Sequence, residues 1–129
     1  GGLPVIFNRN PERGASLARD FHCQVRDLGA LAEFRADVLI NTTPVGMYPQ
    51  TEASPVAATL LPRFPLVMDA VYNPRETRLL REAAAAGCTV VDGVGLLVRQ
   101  GVEQIRIWTG REAPTAVMRR AVLAALQVR

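Results

Sequence analysis

Short apolar runs rich in branched residues alternate with helix-like patterns along most of this chain, and no other feature limits its fold more. The runs are Pro4–Phe7, Val38–Ile40, Leu66–Met68 and Thr89–Val91, with a weaker one near Cys23–Val25. Each reads as a strand. Between them, Glu12–Phe21 follows a proline and Leu28–Phe34 comes next. Thr77–Ala86 then carries Leu79, Leu80, Ala83 and Ala84 at helical spacing before Gly87, where a helix would stop. Buried strands separated by helices imply a parallel sheet covered on both faces, because parallel neighbours need crossover connections. The predicted class is α/β, doubly wound.

The end of the chain departs from the alternation. Gly95–Trp108 and Ala113–Gln127 read as consecutive long helices separated by Thr109-Gly110, so the sheet is finished before them. Thr42–Pro65 holds Pro44, Pro49, Pro55 and Pro62 around Gly46, which is too much proline for a strand or a regular helix, and a long loop is expected. Gly1-Gly2-Leu3-Pro4 leads straight into a strand, an opening that suits the tail of a helix outside the chain, and something is expected to precede it. With 129 residues, 49% of them hydrophobic, the expectation is one domain with a real core.

The charged residues narrow the chemistry. A formal charge of +3, with basic residues scattered among acids, gives no nucleic-acid face. All fifteen basic residues are arginines. Arginine is a permanent, planar, five-donor cation suited to phosphate and carboxylate, whereas lysine is the side chain a protein tunes into an acid or base, so lysine-dependent chemistry is excluded. His22, Cys23 and Cys88 are too few to suggest a metal site, and the thiols read as small hydrophobes in a reducing compartment. No apolar run approaches membrane-spanning length and no signal opens the chain, so a cytoplasmic protein is expected.

Candidate site residues fall where strands end. Asn8-Arg9-Asn10-Pro11-Glu12-Arg13 follows the first strand. In dinucleotide-binding folds an acid at the end of the second strand takes the ribose 2′-hydroxyl of NAD, and an arginine accepts the 2′-phosphate of NADP. Here there is Arg9, with Arg13 one turn on and Asn10 as a further donor. Taken alone, a solvated turn capped by Asn10, with Pro11 as the first helical residue, is the plainer reading. Three more segments follow strands: Asn41-Thr42-Thr43-Pro44-Val45-Gly46-Met47, Asp69-Ala70-Val71-Tyr72-Asn73-Pro74, and Asp92-Gly93-Val94-Gly95-Leu96-Leu97-Val98-Arg99-Gln100. Ligands in open α/β sheets bind outside the carboxyl ends of the strands, and glycines at such a junction let a flat ring approach the backbone. Taken alone, the first of these segments reads as a turn, Gly93 and Gly95 as a tight turn, Tyr72 as a buried aromatic and Gln100 as a solvated amide.

Together and in this order the four segments, followed by Trp108-Thr109-Gly110, resemble the shikimate dehydrogenases over nearly the whole chain. The resemblance implies a Rossmann-like NADP-binding domain, residues 1–129, lacking its first strand and glycine-rich loop. It implies NADP as cofactor and reversible reduction of 3-dehydroshikimate to shikimate, a step of aromatic amino-acid biosynthesis. Asn8, Arg9, Asn10 and Arg13 would clasp the 2′-phosphate. Thr42 would line the cofactor cleft, with Val71, Gly93 and Leu96 by the ribose and nicotinamide. Tyr72 and Gln100 would meet the substrate. The family's catalytic lysine and aspartate belong to a separate N-terminal substrate domain, so no catalytic residue is expected in this chain, which alone should be inactive. Asn10 stands where the family often has threonine, and Leu96 where methionine often packs on the nicotinamide. A quinate-acting relative, a dehydrogenase using NAD, and a non-catalytic nucleotide-binding module are the alternatives.

Overall fold

A computed structural model describes residues 1–127, without the side chain of Pro11, as two compact units, Gly1–Arg35 and Ala36–Arg129. The first unit contains β1 (Val5–Phe7), α1 (Pro11–Asp20), β2 (Gln24–Arg26) and a 3-10 turn at Leu28–Glu33. β1 and β2 pair in parallel, with Phe7 opposite Arg26. Helix α1 starts as its sequence dictates: Asn10 is the N-cap, its side chain accepts the Arg13 amide, and Pro11 stands in the first turn. α1 packs closely on the sheet, and a Cβ at Gly14 would lie 2.8 Å from Val25 Cγ2.

In-register parallel partners share a face, so Phe7 and Arg26 lie together on the side away from Val25. The ring of Phe34 meets Phe7 edge-on at 5.1 Å, and the Arg26 guanidinium stands 5.3 Å from the Phe34 centroid. The Leu28–Glu33 stretch, expected as an ordinary helix, is a 3-10 turn of 6 residues. Asp27 accepts the Gly29 amide at its start, and Phe34 at its end returns to extended backbone.

The second unit contains β3 (Val38–Asn41), a 3-10 turn at Ala58–Arg63, β4 (Leu66–Asp69), α2 (Arg78–Ala85), β5 (Thr89–Val91), α3 (Gly93–Thr109) and α4 (Thr115–Gln127). The three strands form a parallel sheet in the order β3-β4-β5, with Asn41 opposite Asp69 and Val67 opposite Val90. Val67 is fully buried and forms a core with Leu61, Phe64, Leu79, Leu80 and Ala83, so one face of the sheet is closed by α2 and the second 3-10 turn. That turn interrupts the segment expected as a long loop. On the opposite face Val38, Ile40 and Val91 remain 44%, 53% and 39% exposed.

The five strands thus form two hydrogen-bonded sheets, β1-β2 and β3-β4-β5, all parallel. The α/β class with parallel strands and a two-helix ending holds. α3 begins at Gly93, two residues before the expected start, because Asp92 already adopts the extended backbone of an N-cap. α4 begins after Pro114, not at Ala113. Among the described residues no helix is long and apolar enough to cross a membrane, and no cluster of His, Cys, Asp or Glu could hold a metal ion.

Candidate nucleotide and substrate site

The first unit presents Asn8, Arg9, Asn10 and Arg13 in one turn. Asn8 Oδ1 accepts the Asn10 amide at 2.9 Å, and Asn10 Oδ1 accepts the Arg13 amide at 3.0 Å. These two bonds shape the turn and place Arg9 just before the helix and Arg13 in its first turn. Both side chains are exposed, and neither guanidinium makes a hydrogen bond or ion pair among the described residues. Two free guanidinia beside the positive end of α1 fit an anion carrying several acceptor oxygens, such as a phosphate monoester. A shallow apolar cavity of about 500 Å³ in this unit is lined by Ala15, Ala18, Cys23 and Val25 along with Glu12 and Arg19, and by none of the four clasp candidates.

The second unit gathers the other candidates around a buried polar network. Asn41, at the end of β3, donates through Nδ2 to Asp69 Oδ1 at 2.9 Å and to the Val45 carbonyl at 3.2 Å. Its Oδ1 accepts the Thr43 amide and hydroxyl at 3.0 and 2.8 Å. Asp69, fully buried at the end of β4, also accepts the Val71 amide at 2.9 Å and the Thr77 hydroxyl at 2.7 Å. The Thr77 oxygen in turn accepts the Leu80 amide and caps α2. Three side chains therefore fix the starts of the Thr42–Met47 and Val71–Pro74 segments relative to one another. Sequence reasoning misses this network as a unit, although Thr77 ahead of an apolar helix carries a capping signal.

Within this frame Thr42 and Tyr72 are exposed, Tyr72 by 41%, while the Val71 side chain lies in the core and leaves only its backbone for a ligand. Gly93 is buried, and a Cβ there would stand 2.5 Å from both the Ala70 and Val71 carbonyl oxygens. Only glycine lets α3 start so close to the segment after β4. Leu96, one turn into α3, is 42% exposed, and Gln100 is exposed one turn further. Gly46, at φ 91°, turns the Thr42–Met47 segment in a conformation that favours glycine.

Beyond that segment, the Glu52 carbonyl accepts from Arg78 at 2.8 Å and its carboxylate pairs with Arg81 at 3.4 Å, tying the chain around Glu52 to α2. Hydrogen bonding to the Glu82 carboxylate holds the Arg78 guanidinium above its ordinary pKa. A second cavity, about 290 Å³, lies among Tyr48, Thr51, Asn73, Arg75 and the α4 residues Leu123 and Leu126.

The family model for the shikimate 5′-dehydrogenase C-terminal domain matches residues 93–123. The shikimate dehydrogenase (NADP(+)) of Halorubrum lacusprofundi is 55% identical over 131 residues, covering 98% of this chain and 47% of that protein. The corresponding protein of Methanosarcina mazei is 47% identical over 132 residues, covering 95% of this chain and 47% of its own length. Among solved structures, shikimate 5-dehydrogenase from Thermus thermophilus in complex with NADP(H) and shikimate superposes with a TM-score of 0.80 at 38% identity, covering 95% of this chain and 46% of that one. The chain thus spans about half the length of the curated relatives it matches. The matches to these relatives run along nearly the whole of this chain, and the family model matches within its last third, so the chain is similar to the C-terminal part of the shikimate dehydrogenases.

Proposed function

We propose that these residues form the NADP-binding half of a cytoplasmic shikimate dehydrogenase, which catalyses the reversible NADPH-dependent reduction of 3-dehydroshikimate to shikimate in aromatic amino-acid biosynthesis. The two compact units are parts of one NADP-binding domain. An N-terminal substrate domain outside these 129 residues supplies the catalytic lysine and aspartate, because this chain contains no lysine.

The observation that carries this reading is the Asn8–Arg13 turn. Its backbone is fixed by Asn8 and Asn10, while Arg9 and Arg13 stay exposed and without a partner among the described residues. Such a donor set suits the 2′-phosphate that distinguishes NADP from NAD, and no carboxylate occupies the place where NAD-binding folds hold the 2′-hydroxyl. When bound, NADPH would supply the hydride for the reduction, and NADP+ would take it up in the reverse direction. The residues of this chain bind and orient: Asn8, Arg9, Asn10 and Arg13 hold the adenosine end. Thr42, the backbone at Val71 and Gly93, and the Leu96 side chain line the ribose and nicotinamide, and Tyr72 and Gln100 hydrogen-bond the hydroxylated ring.

The test is turnover by the purified full-length protein. Shikimate-dependent formation of NADPH, with NADP+ strongly preferred over NAD+, is expected, and the 129-residue chain by itself should show no turnover. Turnover by the 129-residue chain, or a full-length protein inert towards shikimate, overturns the reading.

A further inference from the structure

Asp92 occupies the N-cap of α3 with the extended backbone of a cap residue, φ −78° and ψ 158°, yet its carboxylate makes no capping bond. An aspartate there ordinarily accepts an amide of the first helical turn. Asp92 Oδ2 instead accepts from Arg75 Nε at 2.6 Å, across seventeen residues of sequence. Arg75 is three residues beyond Tyr72, in the irregular segment joining β4 to α2. Asp92 opens the helix that carries Leu96 and Gln100. Among the described residues, no other side-chain hydrogen bond joins that segment to α3.

We propose that Arg75 is a positioning residue: its ion pair with Asp92 latches the Tyr72–Pro74 turn to the start of α3 and thereby sets Tyr72 and Gln100 for substrate. The role rests on the shikimate dehydrogenase reading. The latch works beside the close backbone packing of Gly93 on Ala70 and Val71, which holds the root of the same segment. The packing fixes where the segment leaves β4, and the ion pair fixes its far end, beyond the tyrosine. The pair is partly exposed, Arg75 by 54% and Asp92 by 24%, so it contributes little to global stability. Breaking it also frees the Asp92 carboxylate to cap α3, which offsets the loss. An effect on substrate without an effect on stability is therefore the signature of a latch.

The experiment compares Arg75→Gln, Asp92→Asn, the double variant and Arg75→Lys in the full-length protein. Arg75→Gln should raise the KM for shikimate roughly threefold to tenfold, leave the KM for NADP+ and the Tm unchanged, and be partly rescued by Arg75→Lys. The double variant should be no worse than the worse single variant, because both remove one interaction. An unchanged shikimate KM, additive losses, or a joint shift of both KM values with Tm overturns the latch. Hydrogen exchange at the Tyr72, Asn73 and Arg75 amides reads it without turnover: faster exchange in Arg75→Gln at unchanged Tm supports it, and unchanged exchange overturns it. A wild-type protein inert towards shikimate overturns the functional reading instead, and the exchange measurement still decides the latch.

Discussion

The Asn41 side-chain amide donates to Asp69 Oδ1 at 2.9 Å, joining the carboxyl ends of β3 and β4 through two side chains that are 5% and 0% exposed. Asp69 serves Val71 and Thr77 as well, so one carboxylate organises two segments that carry proposed ligand contacts. Asp69→Ala leaves three donors without an acceptor and should cost about 3 kcal/mol or more in urea unfolding, at about 1–3 kcal/mol for each stranded group. Asp69→Asn keeps an acceptor for Asn41 and Val71 but turns a donor towards the Thr77 hydroxyl. A smaller loss, about 1–2 kcal/mol, is expected. Equal stability of Asp69→Ala and wild type would remove the network from the account of the fold.

Gly93 and Gly95 stand two residues apart and should respond in opposite directions. A Cβ at Gly93 meets two backbone oxygens at 2.5 Å, whereas one at Gly95 meets nothing within 4 Å. Gly93→Ala must push α3 away from Ala70 and Val71 and should destabilise by about 1–3 kcal/mol, as overpacking does. Gly95→Ala removes a flexible residue from a helix and should stabilise by roughly 0.5–1 kcal/mol. If the nicotinamide approaches the backbone here, Gly95→Ala also weakens NADPH binding while raising Tm. Thermal melts with and without NADPH separate the two effects.

Arg9 and Arg13 are exposed in one turn, so removing either should leave folding unchanged and affect an anionic ligand only. Arg9→Ala and Arg13→Ala are each expected to weaken NADPH binding about tenfold, the equivalent of about 1.4 kcal/mol, with NADH affinity unchanged. The preference for NADPH should also shrink as ionic strength rises, because exposed charges are screened. Calorimetric titration of the full-length protein with both nucleotides measures this, and equal losses for NADH and NADPH would move the arginines away from the 2′-phosphate.

Signals are legible in the sequence wherever the cause is local. α1 starts at Pro11 after the cap Asn10, α2 ends at Ala85 shortly before Gly87, whose φ of 85° suits only glycine well, and the core strand β4 reads as an apolar run. β2 is faint because Gln24, Val25 and Arg26 are all exposed and form no apolar run. The 3-10 turn at Leu28–Glu33 reads as a helix in the sequence because a short apolar stretch carries no signal of hydrogen-bond register. The division into two compact units and two sheets follows from strand pairing, which no single segment encodes. In the site, the turn at Asn8–Arg13 is visible because its hydrogen bonds span two and three residues. The Asn41–Asp69 bond spans 28 residues and the Arg75–Asp92 pair 17, so both emerge only once the strands are paired. Val71 shows the opposite limit: its place in the motif is plain, but that its side chain points into the core is not.

Asn10 has two roles that a single substitution can separate. Its side chain caps α1 by accepting the Arg13 amide at 3.0 Å, and it is also proposed to donate to the 2′-phosphate. Asn10→Asp keeps the capping oxygen and adds a negative charge at the positive end of the helix, so stability should hold or rise by about 0.3–1 kcal/mol. The same charge repels a phosphate, and NADPH affinity should fall while NADH affinity stays within about twofold, well under the tenfold that corresponds to about 1.4 kcal/mol. Asn10→Ser is the control, since serine caps equally well without the charge. If Asn10→Asp binds NADPH as tightly as Asn10→Ser does, Asn10 is a helix cap alone, and the clasp reduces to Asn8 and the two arginines.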